Sequence, residues 1–127
     1  MNVMDKKRVL IVDDDGKSRN IFEVLLTSMG FDAVSVNNGE EAMELLAGDP
    51  YFDLIITDVM MPYMTGFDLT SKLKEYTETK DIPVIATSAF HDWKKAREEK
   101  DLLVDGFIPK PIEKESLKRE ITRVLGN

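Results

Sequence analysis

The sequence predicts a doubly wound α/β sheet built as (βα)5, with five parallel strands and five helices in one domain spanning residues 1–127. Three observations lead there. Short apolar runs stand at residues 9–12, 33–36, 54–57 and 82–87 and at Phe107 with Ile108; the segments between them carry apolar residues at helical spacing; and helix-start signals follow the strand ends. Strands that alternate with single helices run parallel through right-handed crossovers. Helices then cover both faces, so the apolar runs are continuous rather than alternating.

The first run, "VLIV", ends on Asp13, Asp14 and Asp15. Asp15 reads as the N-cap of the first helix, whose apolar stripe is Ile21, Leu25 and Met29 with Phe22 and Leu26 alongside. The second strand ends at Asn37 and Asn38, read as a helix cap; Asn38 with Glu41 three residues on resembles a capping box before Ala42, Leu45 and Leu46. The third strand stops on Asp58, and Thr65 with Asp68 forms a second capping-box pattern ahead of the third helix. The fourth strand ends at Thr87 and Ser88. After it, "HDWKKAREEK" offers only Trp93 and Ala96 as clearly apolar residues, which predicts a thinly held fourth helix. The fifth strand delivers Lys110 within "IPKP", and Leu117, Ile121, Val124 and Leu125 mark the fifth helix.

With 43% hydrophobic and 32% charged residues, 127 residues can bury one sizeable core. The absence of cysteine excludes disulfides and thiolate chemistry, and the single histidine, His91, argues against a histidine-rich metal site or a Ser/His/Asp triad. A metal here would be held by oxygen. The net charge of −7, with Lys and Arg interspersed among acids, argues against direct nucleic-acid binding. No apolar run approaches the roughly 18 residues of a membrane span, and the N-terminus lacks the apolar core of a secretory signal, so a cytoplasmic location is expected.

Doubly wound sheets bind ligands at the carboxyl ends of their strands. There the first strand brings Asp13 and Asp14, the third Asp58, the fourth Ser88 and the fifth Lys110. Any one of these residues alone is ordinarily a cap, a turn residue or a solvated charge. Their convergence on one edge is what points to chemistry. Like charges about 4 Å apart repel by roughly 4 kcal/mol at an effective dielectric near 20, so the acids call for a hard cation such as Mg²⁺, or Mn²⁺ in its place. Lys110 adds a second positive charge and Ser88 a hydroxyl donor, a set that would hold a phosphoryl group, with Asp58 as the nucleophile.

The blocks "VLIVDDD", "DLIITDVMMPYMTGFDL", "IPVIATSA" and "DGFIPKP" resemble, in order and spacing, the receiver domain of two-component response regulators, in its chemotaxis-regulator-like form. The resemblance covers essentially the whole chain. It implies a flavodoxin-like fold with strand order 2-1-3-4-5. It further implies that Asp58 accepts a phosphoryl group from a phosphohistidine of a sensor histidine kinase or phosphotransfer protein. Asp13 and Asp14 would bind Mg²⁺ with the Asp58 side chain and the Met60 backbone carbonyl, Ser88 would be the conserved hydroxyl, and Lys110 would contact the phosphoryl group. Phe107 matches the aromatic switch position, and the face made by the fourth helix, fifth strand and fifth helix would meet an output partner or domain. The chain is then a phosphorelay switch rather than an enzyme, either a complete regulator or a receiver cut from a longer protein.

Two alternatives fit less well. A phosphatase working through an aspartyl phosphate would carry a second Asp where Met60 stands, and a phosphorylation-independent scaffold would show a lost acid or Lys. Tyr63 and Leu103 depart from the family pattern, each standing where Gly is common. The Lys110–Pro111 bond is expected to be cis, because a tight turn must follow the strand directly. Met60 and Phe90, which orient water poorly, predict slow loss of the phosphoryl group.

Overall fold

The computed structural model describes residues 6–89 and 103–126. Its strands are β1 (Arg8–Val12), β2 (Asp32–Val36), β3 (Leu54–Asp58), β4 (Val84–Ala89) and β5 (Gly106–Lys110). Helices α1 (Gly16–Ser28), α2 (Gly39–Gly48) and α3 (Gly66–Leu73) and a C-terminal helix (Lys114–Leu125) complete the described elements. The expected fourth helix, with Phe90, Trp93 and Ala96, lies outside the described residues.

All pairings are parallel and the order is β2-β1-β3-β4-β5, the doubly wound topology expected. The continuous apolar runs follow from burial on both faces. Leu10, Val12, Ile55, Val84 and Ala86 pack toward α2 and α3 through Ala42, Leu46, Leu69 and Leu73. Their neighbours Val9, Ile11, Leu54, Ile56 and Ile85 pack toward α1 and the C-terminal helix through Phe22, Leu26, Leu117 and Ile121. Each fully buried Leu or Ile contributes about 1.5–3 kcal/mol, so the central strands anchor the carboxyl edge on a rigid base.

Boundaries moved where backbone chemistry required it. β4 starts at Val84 rather than Ile82, because Pro83 has no N–H for the ladder, and only its carbonyl is used, by the Ile55 N–H at 3.0 Å. β3 runs one residue further than the apolar run, since Asp58 still pairs with Thr87.

The caps position the site loops. Asp15 accepts from the Lys17 N–H at 3.3 Å, and Thr65 with Asp68 forms the full reciprocal box. Asn38 accepts from the Glu41 N–H at 2.8 Å, but the Glu41 carboxylate accepts from Asn37 rather than from Asn38, so the second box is displaced by one residue. Gly66 lets α3 start directly against the end of β3: its N–H donates to Val59 at 2.9 Å, and a Cβ there would stand 2.4 Å from the Asp58 carbonyl oxygen. The Lys110–Pro111 bond is cis, as expected.

At the outer strand β5, Glu120 of the C-terminal helix accepts from the Phe107 N–H at 2.9 Å, and Arg123 donates to the Asp105 carbonyl at 2.8 Å while pairing with Glu120. Gly106 leaves the room this requires, because a Cβ there would stand 2.5 Å from Glu120 Oε2. No helix among the described residues is long and apolar enough to cross a membrane.

Candidate functional site

Asp13 follows the last residue of β1 and Asp58 is the last residue of β3, so the parallel register alone sets them side by side at the carboxyl edge. Both are buried, Asp13 at 1% and Asp58 at 7% exposure, whereas Asp14 is open to solvent. One carboxylate oxygen from each of the three lies within 4.8 Å of the others. Lys110, delivered by the end of β5, donates to Asp13 Oδ2 at 3.0 Å and to Asp58 Oδ2 at 3.2 Å. The remaining oxygens are held by backbone: Asp13 Oδ1 accepts from the Asp15 N–H at 2.9 Å, and Asp58 Oδ1 from the Met60 N–H at 3.3 Å.

Burial raises the pKa of the Asp58 carboxyl above its ordinary value; Lys110 pulls it back in part, while the negative charge of Asp13 adds to the rise. Burial alone would lower the Lys110 ammonium, but Asp58 and Asp13 together outweigh it and hold Lys110 above the usual lysine value. Among the described residues, three carboxylates facing one ammonium leave an excess of negative charge, and the side-chain groups available as ligands are oxygens. This set fits a hard divalent cation. Near the end of β4, one residue past the Thr87 that pairs with Asp58, Ser88 is 2% exposed and its hydroxyl has no hydrogen-bond partner among the described residues; the same holds for the buried hydroxyl of Thr87. A buried hydroxyl without a partner is costly unless something it can donate to arrives.

The structure therefore brings together Asp13, Asp14, Asp58, Lys110 and Ser88. Met60 flanks them with its side chain 60% exposed. Phe107 is half-buried and meets the Phe67 ring edge-on at a centroid distance of 6.4 Å. Tyr63 adopts the left-handed conformation, φ 69°, with a fully exposed side chain. It borders a shallow cavity of about 180 Å³ next to Asp14, shared with Asn38 and Met64. Leu103 is 45% exposed.

Sequence reasoning missed two α1 residues. Ser18 donates to Asp15 Oδ2 at 3.1 Å and makes a long contact of 3.5 Å with Lys110 Nζ. Arg19 donates at 2.7 Å both to the Asp13 carbonyl oxygen and to Asn37 Oδ1. Asn37 is thus not a helix cap but a tie between loops. The available signal was spacing, since residues three and four places after the Asp15 cap return to the side of the helix that faces the strand ends.

A family model described as response regulator receiver domain matches residues 9–122. A 3′,5′-cyclic-nucleotide phosphodiesterase, regA, from Dictyostelium discoideum is 40% identical over 122 residues, which is 94% of this chain but 15% of that protein's length. The chemotaxis response regulator CheY4 of Vibrio cholerae is 30% identical, with a TM-score of 0.83 over 94% of this chain and 98% of that one. The receiver domain of the sensor histidine kinase PA1611 from Pseudomonas aeruginosa, described with a magnesium ion coordinated in its active-site cleft, shares the fold. Its TM-score is 0.82 at 22% identity, over 96% of this chain and 99% of that one.

Proposed function

The chain belongs to the response regulator receiver domain family, whose members are phosphorylation switches of two-component signalling, and from that premise we propose that Asp58 is its phosphoacceptor. The observation that carries this is the buried Ser88 hydroxyl without a partner among the described residues, near an acid cluster bridged by Lys110. A phosphoryl group on Asp58 would bring the acceptor oxygens that Ser88 and Lys110 lack.

In the proposed step an Asp58 carboxylate oxygen attacks phosphorus, the P–N bond to a partner's phosphohistidine breaks, and its electron pair stays on the imidazole. Asp13, Asp14, the Asp58 side chain and the Met60 carbonyl would hold Mg²⁺ or Mn²⁺, which when bound screens the acceptor's charge and steadies the transferring oxygens. Lys110 leaves its bridge between the two acids to contact the phosphoryl group. Ser88 donates to it, and Phe107 turns inward behind Ser88 to alter the face around β5 and the C-terminal helix.

Histidine kinases or phosphotransfer proteins are the upstream partners that the family implies. An output partner or domain reading the β5 face, a single receiver domain over residues 1–127, a cytoplasmic location and the absence of turnover on external substrates complete the reading. Incubation with acetyl phosphate and Mg²⁺ tests it, with phosphorylation located by peptide mass mapping. Asp58 should carry the only modification, and Asp58→Asn should abolish it; undiminished labelling of that variant at another residue would remove Asp58 from this role.

A further inference from the structure

We propose that Arg19 is a positioning residue for cation binding, fixing the peptide between Asp13 and Asp14 so that the Asp14 carboxylate is presented to the ion. The inference rests on the cation-site reading given above. Asp14 is exposed and lies within the acid cluster, so the aim of its carboxylate depends on the backbone that carries it. That backbone is held on one side by the Asp13 N–H, which donates to Val36 at 3.2 Å, and on the other by Arg19, whose Nη1 donates to the Asp13 carbonyl at 2.7 Å. The same Nη1 donates to Asn37 Oδ1 at 2.7 Å, and Asn37 is itself fixed through its N–H to Glu41 at 2.7 Å. One guanidinium thus locks the loop after β1 to the loop after β2 and to the first turn of α2.

The effect expected of losing Arg19 is opposite in sign to simple electrostatics. A guanidinium beside a divalent cation repels it, so if Arg19 acted only through its charge, removing it would tighten Mg²⁺ binding. Loss of a group that orients metal ligands typically weakens binding by about 10- to 100-fold. Titration calorimetry of the whole chain with Mg²⁺ alone should therefore show Arg19→Gln binding about tenfold more weakly than the parent. Arg19→Lys, which keeps the charge but has a shorter reach to the Asp13 carbonyl and Asn37, should fall between them. In an Asp14→Asn background Arg19→Gln should change affinity little, because the carboxylate it positions is gone; thermal melts in EDTA report that each variant is folded. Equal or tighter Mg²⁺ binding by folded Arg19→Gln overturns the inference while leaving the cation site intact. An undiminished effect in the Asp14→Asn background likewise overturns it. A parent protein that binds no Mg²⁺ overturns both the inference and the reading beneath it.

Discussion

Replacing Lys110 by methionine removes the ammonium that Asp13 and Asp58 share, at 3.0 and 3.2 Å, while keeping much of the side chain's bulk. At these distances each contact is worth about 5 kcal/mol at an effective dielectric near 20, most of it offset by the cost of burying the charges. Removing one partner of a buried pair costs about 3–5 kcal/mol. Here the lysine side chain is 24% exposed, and Asp58, which burial already disposes toward protonation, can take up a proton when its partner is lost. The expected net loss is therefore about 2–3 kcal/mol. At about 3–5 °C per kcal/mol for a chain of this length, Lys110→Met should melt about 10 °C below the parent at neutral pH in EDTA. A cation present at 100 times its dissociation constant stabilises by about 2.7 kcal/mol, and the variant's cluster is freed from competition with Lys110. Mg²⁺ should thus raise the melting temperature of the variant more than that of the parent. Equal stability in EDTA, or equal gains from Mg²⁺, would refute the view that Lys110 holds the cluster together in place of a metal.

Tyr63 sits at φ 69° with nothing buried to lose, and a left-handed conformation costs about 1–2 kcal/mol for an ordinary residue. Tyr63→Asn should stabilise the fold by about 1 kcal/mol, Tyr63→Gly by less because of its freer unfolded chain, and Tyr63→Val should destabilise it; a lower melting temperature for the Asn variant would count against this. Because burial raises the pKa of Asp58, its ionisation in the folded state costs stability as pH rises out of the carboxylate range. In EDTA, Asp58→Asn should accordingly be more stable than the parent at neutral pH, with the gap closing as pH falls below the ordinary aspartate value; a gap that widens on acidification would show the sign to be wrong. Met60 is exposed beside Asp58 and its thioether hydrogen-bonds water weakly, so with Asp58 as the proposed acceptor Met60→Asn should shorten the lifetime of the phosphorylated form several-fold, as followed by phosphate release.

The parts of this molecule that could be read from sequence are those fixed by periodicity and strand ends. Short continuous runs such as Leu54 to Thr57, alternating with segments of helical spacing, read as strands covered on both faces, and once five strands are parallel, Asp13, Asp58, Ser88 and Lys110 come to one edge. What the residues do there depends on distances that a one-dimensional pattern does not carry. The pattern places Lys110 near a phosphoryl group, but not as a bridge between two acids. Asn37 and Asn38 look equivalent as caps, yet only Asn38 caps, because Arg19 reaches the other across the neighbouring loop. The left-handed backbone at Tyr63 is likewise invisible where a sequence shows a residue type that seldom adopts it.

Glu120 and Arg123 have a consequence for association between molecules. A sheet's outermost strand normally leaves a row of backbone donors and acceptors able to template another chain. On β5 the outward Phe107 N–H and the neighbouring Asp105 carbonyl are occupied by this carboxylate and guanidinium. Hydrogen bonding with Arg123 holds the Glu120 carboxyl below its ordinary range, so the carboxylate remains an acceptor under mildly acidic conditions. At these two positions β5 offers no free backbone group to an added strand, so recognition at this end of the edge falls to side chains.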